Sequence, residues 1–166
     1  MESCLDQKEE EDLLFNTPGV MVHTSSESQH NEGAGASDGL HSTRWVCSEA
    51  NDDPWIEFDF EGTPREKQIR PKRLRLSQAN SSFAMRGYYG AIQEFSVSVN
   101  GEDPEVHTFP DSVISTSSSN VVTVDLGKFK GSLRNLRIQI LKATPGKAGD
   151  TEGSPLVGFS YIELFK

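Results

Sequence analysis

Ser37-Asp-Gly-Leu-His-Ser-Thr-Arg-Trp-Val-Cys-Ser-Glu-Ala-Asn-Asp-Asp-Pro-Trp-Ile-Glu-Phe-Asp-Phe60 decides how the rest of the chain is read. Asp38-Gly39 is a turn signal, because glycine takes positive φ at little steric cost. Thr43 to Cys47 is a short apolar, β-branched run. Asn51-Asp52-Asp53-Pro54 is a second turn. From Trp55 to Phe60 the residues then alternate strictly, with Ile56, Phe58 and Phe60 on one side and Glu57 and Asp59 on the other. Period two predicts a strand with one buried face.

The same alternation recurs outward in both directions. Upstream, Leu13-Leu14-Phe15 and the Pro18-Gly19 turn lead into a strand over Val20–Thr24, followed by a polar loop over 25–37. Downstream, Leu74 and Leu76 alternate with Arg73 and Arg75, and Phe95, Val97 and Val99 with Ser96 and Ser98. Asn100-Gly101 then signals a hairpin, with Val106–Phe109 pairing back. Val122, Val124 and Leu126, then Leu136, Ile138 and Ile140, then Phe159–Phe165 supply the remaining strands. Residues 77–91, 112–120 and 143–155 are expected as loops. About eight short strands, with no βα alternation and no long amphipathic helix, predict an all-β antiparallel jelly-roll sandwich.

The chain has 166 residues, enough for one full core and short for two. An apolar fraction of 34% and a charged fraction of 25% suit a soluble globular domain. No apolar run is long enough to span a bilayer, so no membrane insertion is expected. No apolar leader follows Met1, which predicts an intracellular, cytoplasmic protein. Cys4 and Cys47 fall in a polar tail and a strand, a poor basis for a disulfide framework. Residues 1–12 carry six acids against Lys8, a net of −5 out of the chain's −9, and read as an acidic flexible tail ahead of a domain over 13–166. An acidic domain is a poor partner for phosphate backbones, so nucleic acid is not expected.

Six short motifs stand in one order: Thr24-Ser25-Ser26, Ser37-Asp38-Gly39 with Thr43-Arg44-Trp45, Pro54 to Phe60, Ile69-Arg70-Pro71, Leu136-Arg137-Ile138, and Phe159 to Phe165. Together they resemble the discoidin, or coagulation-factor type C, domains of the galactose-binding-like jelly rolls, over residues 15–166. The resemblance implies an eight-stranded sandwich that binds glycans, phospholipid head groups or proteins through loops at one end, and is seldom catalytic. It is nearest to the intracellular branch that accompanies BTB and kelch-type modules, since the bridging cysteines of the extracellular branch are missing. It also implies a structural calcium at Asp38, Thr43 and Glu163, a set of oxygen ligands that suits the ion. The alternative for these residues is a self-capped turn at Asp38 and an ion pair between Glu163 and Arg44.

Catalytic chemistry is not expected. His23, His30, His41 and His107 lack zinc-ligand spacing, and neither a nucleophile elbow nor a phosphate-cradling loop occurs. Trp45, Trp55 and Cys47 read as core or near-core residues. The basic run Arg65, Lys67, Arg70, Lys72, Arg73 and Arg75 reads as a solvated strand face opposite Glu57 and Asp59. Phe83, Arg86, Tyr88 and Tyr89, in the Ser/Gly-rich loop over 77–91, are the expected ligand contacts, because rings bring contact area at low entropy cost and arginine brings planar hydrogen bonding. The expected function is a non-catalytic, intracellular protein- or peptide-interaction domain using that loop end. The alternative is a lectin-like carbohydrate-binding module.

Overall fold

The computed structural model describes residues 11–26, 33–38, 45–47, 54–63, 70–79, 81–82, 87–88, 91–109, 121–144, 146–148, 151–154 and 157–166. One helical turn, α1 (Leu13–Asn16), precedes the strands β1 (Met21–Thr24), β2 (Trp45–Val46), β3 (Trp55–Asp59), β4 (Arg73–Gln78), β5 (Ser81–Ser82), β6 (Gly87–Tyr88) and β7 (Ile92–Val99). Next in the chain are β8 (Glu105–Thr108), β9 (Val121–Asp125), β10 (Asn135–Ala143), β11 (Gly146–Ala148), β12 (Thr151–Ser154) and β13 (Gly158–Phe165). One sheet runs β1-β3-β10-β7-β8 and the facing one β2-β13-β4-β9, every pair antiparallel. This is the jelly-roll sandwich that the alternation predicts.

The alternating residues fill the space between the sheets. Ile56, Phe58 and Phe60 are fully buried, as are Leu74 and Leu76, Leu136 and Ile138, and Phe159, Ile162 and Leu164. Register explains why they meet. Ile56 lies opposite Ile138 and Phe58 opposite Leu136, while Leu76 lies opposite Ile162 and Leu74 opposite Leu164. Trp45 is fully buried and stacks on Phe159 at 6.2 Å, so its ring is core. Cys47 is a buried thiol, as expected of a small apolar residue. The expected hairpin is present: Asn100 (φ 54°) and Gly101 (φ 75°) both take positive φ, the conformation of a two-residue hairpin turn.

Three local features differ from the sequence reading. Asp12, placed in the acidic tail, caps α1: its Oδ1 accepts from Leu14 N at 3.1 Å and from Leu164 N on β13, also at 3.1 Å. Residues 1–10 of the expected tail lie outside the described residues. Next, Arg75 faces Glu163 rather than Glu57 or Asp59. The two acids belong to the other sheet, where Glu57 lies opposite Arg137. A charge pattern identifies a solvated strand face but not which distant strand supplies the partner. Finally, the supposed loops over 77–91 and 143–155 contain β5, β6, β11 and β12. These four form a further small sheet in the order β12-β11-β6-β5.

Candidate functional site

β4 and β7 both border one end of the sandwich, β4 ending there and β7 starting there. The residues beneath that end are tightly fastened. The Gln78 carboxamide oxygen accepts from Ile92 N at 2.7 Å, which fixes the two feet of the loop between them. Ala79 N donates to Gly158 O at 2.8 Å, and Cys47 N to Val157 O at 3.0 Å. Ala91 and Thr144 exchange backbone and hydroxyl bonds, tying β7 to the end of β10. Trp45 Nε1 donates to Ser26 O at 2.9 Å, and Ser25 Oγ accepts from Trp55 N at 3.0 Å. Gly158 passes so close to β2 that a Cβ there would stand 1.9 Å from Trp45 O.

The small sheet stands on this base. β5 pairs with β6, and β6 with β11, placing Tyr88 between Ser81 and Lys147. β11 then pairs with β12. Two segments more than fifty residues apart in the chain are thereby joined in one sheet. No alternation of apolar residues marks these strands, so pattern reading could not find them. The one available cue was the shared Gly/Ser character of both segments.

Of the expected ligand residues the structure describes Tyr88. Tyr88 lies in β6, at the centre of this end sheet. Phe83, Arg86 and Tyr89 lie outside the described residues. In the expected calcium set, Asp38 is half-buried after a short 3-10 turn at Gly33–Ala36, and Thr43 lies outside the described residues. Glu163 Oε1 accepts from Arg75 Nε at 2.9 Å and lies 2.7 Å from its Nη2, so the described partner of this residue is an arginine. Among the described residues no cluster of three or more His, Cys, Asp or Glu could hold a metal. His23 and His107 stand on opposite edge strands of the five-stranded sheet; His30 and His41 lie outside the described residues.

The arginines on both outer faces are held in place. Arg75 lies 5.1 Å from the Phe165 ring centroid and 6.0 Å from that of Tyr161, in addition to its Glu163 pair. Arg137 stacks over Trp55 at 4.2 Å. Glu57, beside it, accepts from Asn135 Nδ2 at 2.6 Å. Trp55 is therefore a half-buried ring on the outer face of β3, alternating with the buried Ile56 and Phe58 and covered by a guanidinium, and not the core or near-core residue expected from the sequence.

A feature with no counterpart in the sequence lies at the opposite end. A cleft of about 1080 Å³ opens between β8 and β9, the terminal strands of the two main sheets on one side. Val97, Val99, Val124 and Leu126 line its depth.

No protein-family model matches the chain, and no curated protein does. Solved structures match over nearly its whole length. The CpGH89CBM32-4 module produced by Clostridium perfringens, in complex with GlcNAc-α-1,4-galactose, aligns at TM-score 0.59 and 16% identity over 99% of each chain. The Streptococcus pneumoniae fucose binding module SpX-3 aligns at TM-score 0.60 and 14% identity, over 94% of this chain and 98% of that one. The lectin domain of Lectinolysin complexed with Lewis B antigen aligns at TM-score 0.58 and 14% identity, over 94% of this chain and 96% of that one. At these identities the likeness establishes the fold alone: the chain shares the jelly-roll β-sandwich of these modules.

Proposed function

We propose that this chain is a non-catalytic carbohydrate-binding module whose ligand contacts lie on the small end sheet and its connecting loops. The observation that carries this is the pairing of β6 with β11 at Tyr88 and Lys147, which gathers two Gly/Ser-rich segments into one surface on a rigid base. An aromatic residue among short polar ones suits a sugar, which offers an apolar ring face and a rim of hydroxyls. Support also comes from the fold neighbours, several of which were solved with glycans bound. A glycan ligand is favoured here over the intracellular protein partner expected from the sequence, because the fold neighbours include modules solved with glycans bound.

The test is a glycan array probed with the whole chain, followed by titration calorimetry with the best ligand. Tyr88→Ala combined with Tyr89→Ala should abolish binding and leave the melting temperature nearly unchanged. Array silence across neutral, fucosylated and amino-sugar glycans would overturn the proposal; unfolding of the double variant would reassign the rings to the core.

A further inference from the structure

The cleft between β8 and β9 lies away from the end sheet, and its chemistry is independent of the glycan proposal. β8 is the last strand of the five-stranded sheet, and among the described residues no strand pairs with its outer edge. Phe109 N donates to Gln93 O on β7, at 3.1 Å. Because N–H groups alternate in direction along a strand, His107 and Glu105 point theirs toward β7. Val106 and Thr108 point theirs, with their carbonyls, away from the sheet. That edge is a row of backbone donors and acceptors able to take up another strand.

Side chains on the two faces of β8 specify what such a strand would contain. On the inner face Glu105 and His107 line the cleft. Glu105 Oε1 stands 3.2 Å from His107 Nε2, and its Oε2 is 3.9 Å from Lys128 Nζ. Glu61, Glu102, Asp103 and Asp125 add four carboxylates to the cleft wall, making five. Lys128, Lys130 and Arg134 supply three fixed cations against them. The wall is therefore net acidic above an apolar floor, which suits long basic side chains that lay their methylene stems on Val124 and Leu126 and carry the charge to the rim. On the outer face Val106 is 54% exposed, although it lies in a strand. A β-branched residue opposite would cover it.

We propose that the open edge of β8 docks an extended basic peptide, which joins the five-stranded sheet as a sixth strand with lysine or arginine at alternate positions facing the cleft. The partner is a protein segment in which basic residues alternate with β-branched apolar ones.

The probe is a capped octapeptide of alternating Lys and Val, with an alternating Glu and Val peptide as control, added to the isotope-labelled whole chain. Amide hydrogen exchange at Val106 and Thr108 should slow by at least about tenfold with the basic peptide and stay unchanged with the acidic one. Val106→Pro removes an outward N–H that β7 does not use. It should abolish the protection while the melting temperature stays within a few degrees of the parent. Should that variant fail to fold, Glu105→Lys serves instead, and should lose the basic peptide. Absence of slowing, an equal response to both peptides, or a response confined to amides of the end sheet would overturn the proposal. Slowing that depends on protein concentration without peptide would overturn it in favour of a second copy of the chain.

Discussion

Asp12 and Asn100 show how much a single polar side chain settles here. Burial pushes the Asp12 carboxyl above its ordinary value, against the hydrogen bonds from Leu164 and Leu14 that lower it, with nearby Glu163 pushing it further up. A carboxyl whose folded pKa lies above its unfolded one favours the protonated state of the fold. Its contribution is therefore greatest at low pH, and is lost as pH rises from the unfolded value through the folded one. Asp12→Asn keeps an oxygen acceptor for both amides without the buried charge. It should melt at or above the parent temperature at pH 7, the difference shrinking as the pH approaches 4 in a series of melts. Asn100 ties the turn after β7 to the segment that leads into β10. Its Oδ1 accepts from Arg134 N at 2.7 Å and Asn135 N at 2.9 Å, and its Nδ2 donates to Ser132 O at 2.9 Å. Asn100→Ala loses these bonds and forces a Cβ residue without local compensation into positive φ, for about 2–3 kcal/mol in denaturant titration. Asn100→Gly should recover about 1 kcal/mol of this, the backbone share.

At the level of elements, strand faces were legible and strand partners were not. Alternation identified β3, β4, β7, β9, β10 and β13 because burial of one face imposes period two on the residues themselves. It carried no information on β5, β6, β11 and β12, two short hairpins with no apolar alternation that meet at the Lys147–Tyr88 pairing. The same limit explains the basic run: Arg75 was recognisable as an outward strand residue, yet Glu163, 88 positions away, is its partner. Packing between β2 and β13 is the least forgiving contact. A Cβ at Gly158 would meet Trp45 O at 1.9 Å and Val46 Cα at 2.8 Å. Neither backbone atom can swing aside as a side-chain tip can. Gly158→Ala should therefore separate the strands and cost at least about 3 kcal/mol, read as lost soluble expression or a collapsed denaturation midpoint.

For the whole molecule, two ends of one sandwich carry two different chemistries. One end presents the small sheet with Tyr88, proposed for glycan; the other opens the acidic cleft beside β8. With Glu163 held by Arg75, the melting temperature should be the same with EDTA and with added Ca²⁺; a rise of several degrees with Ca²⁺ would restore the metal to the Asp38 region. No helix among the described residues is long and apolar enough to cross a membrane. The candidate site was legible only in part. The 77–91 segment was marked by its aromatic and arginine content, and its Tyr88 lies in β6 of the end sheet. Its partner segment, 146–154, carried no such mark. The cleft was invisible because its walls come from β8, β9 and the turn after β9, each ordinary by itself.

The sequence by itself determined the all-β class, the buried faces of the principal strands and the Asn100-Gly101 hairpin. These follow from local periodicity and local backbone preference, which any segment expresses without reference to the rest of the chain. Tertiary structure alone decided that Asp12 caps α1 against β13, that Arg75 answers Glu163, that two Gly/Ser-rich segments knit into one sheet, and that two sheet edges leave a cleft between them. Each depends on register between residues far apart in the chain. Register is set by the packing of the whole core, to which no single stretch has access.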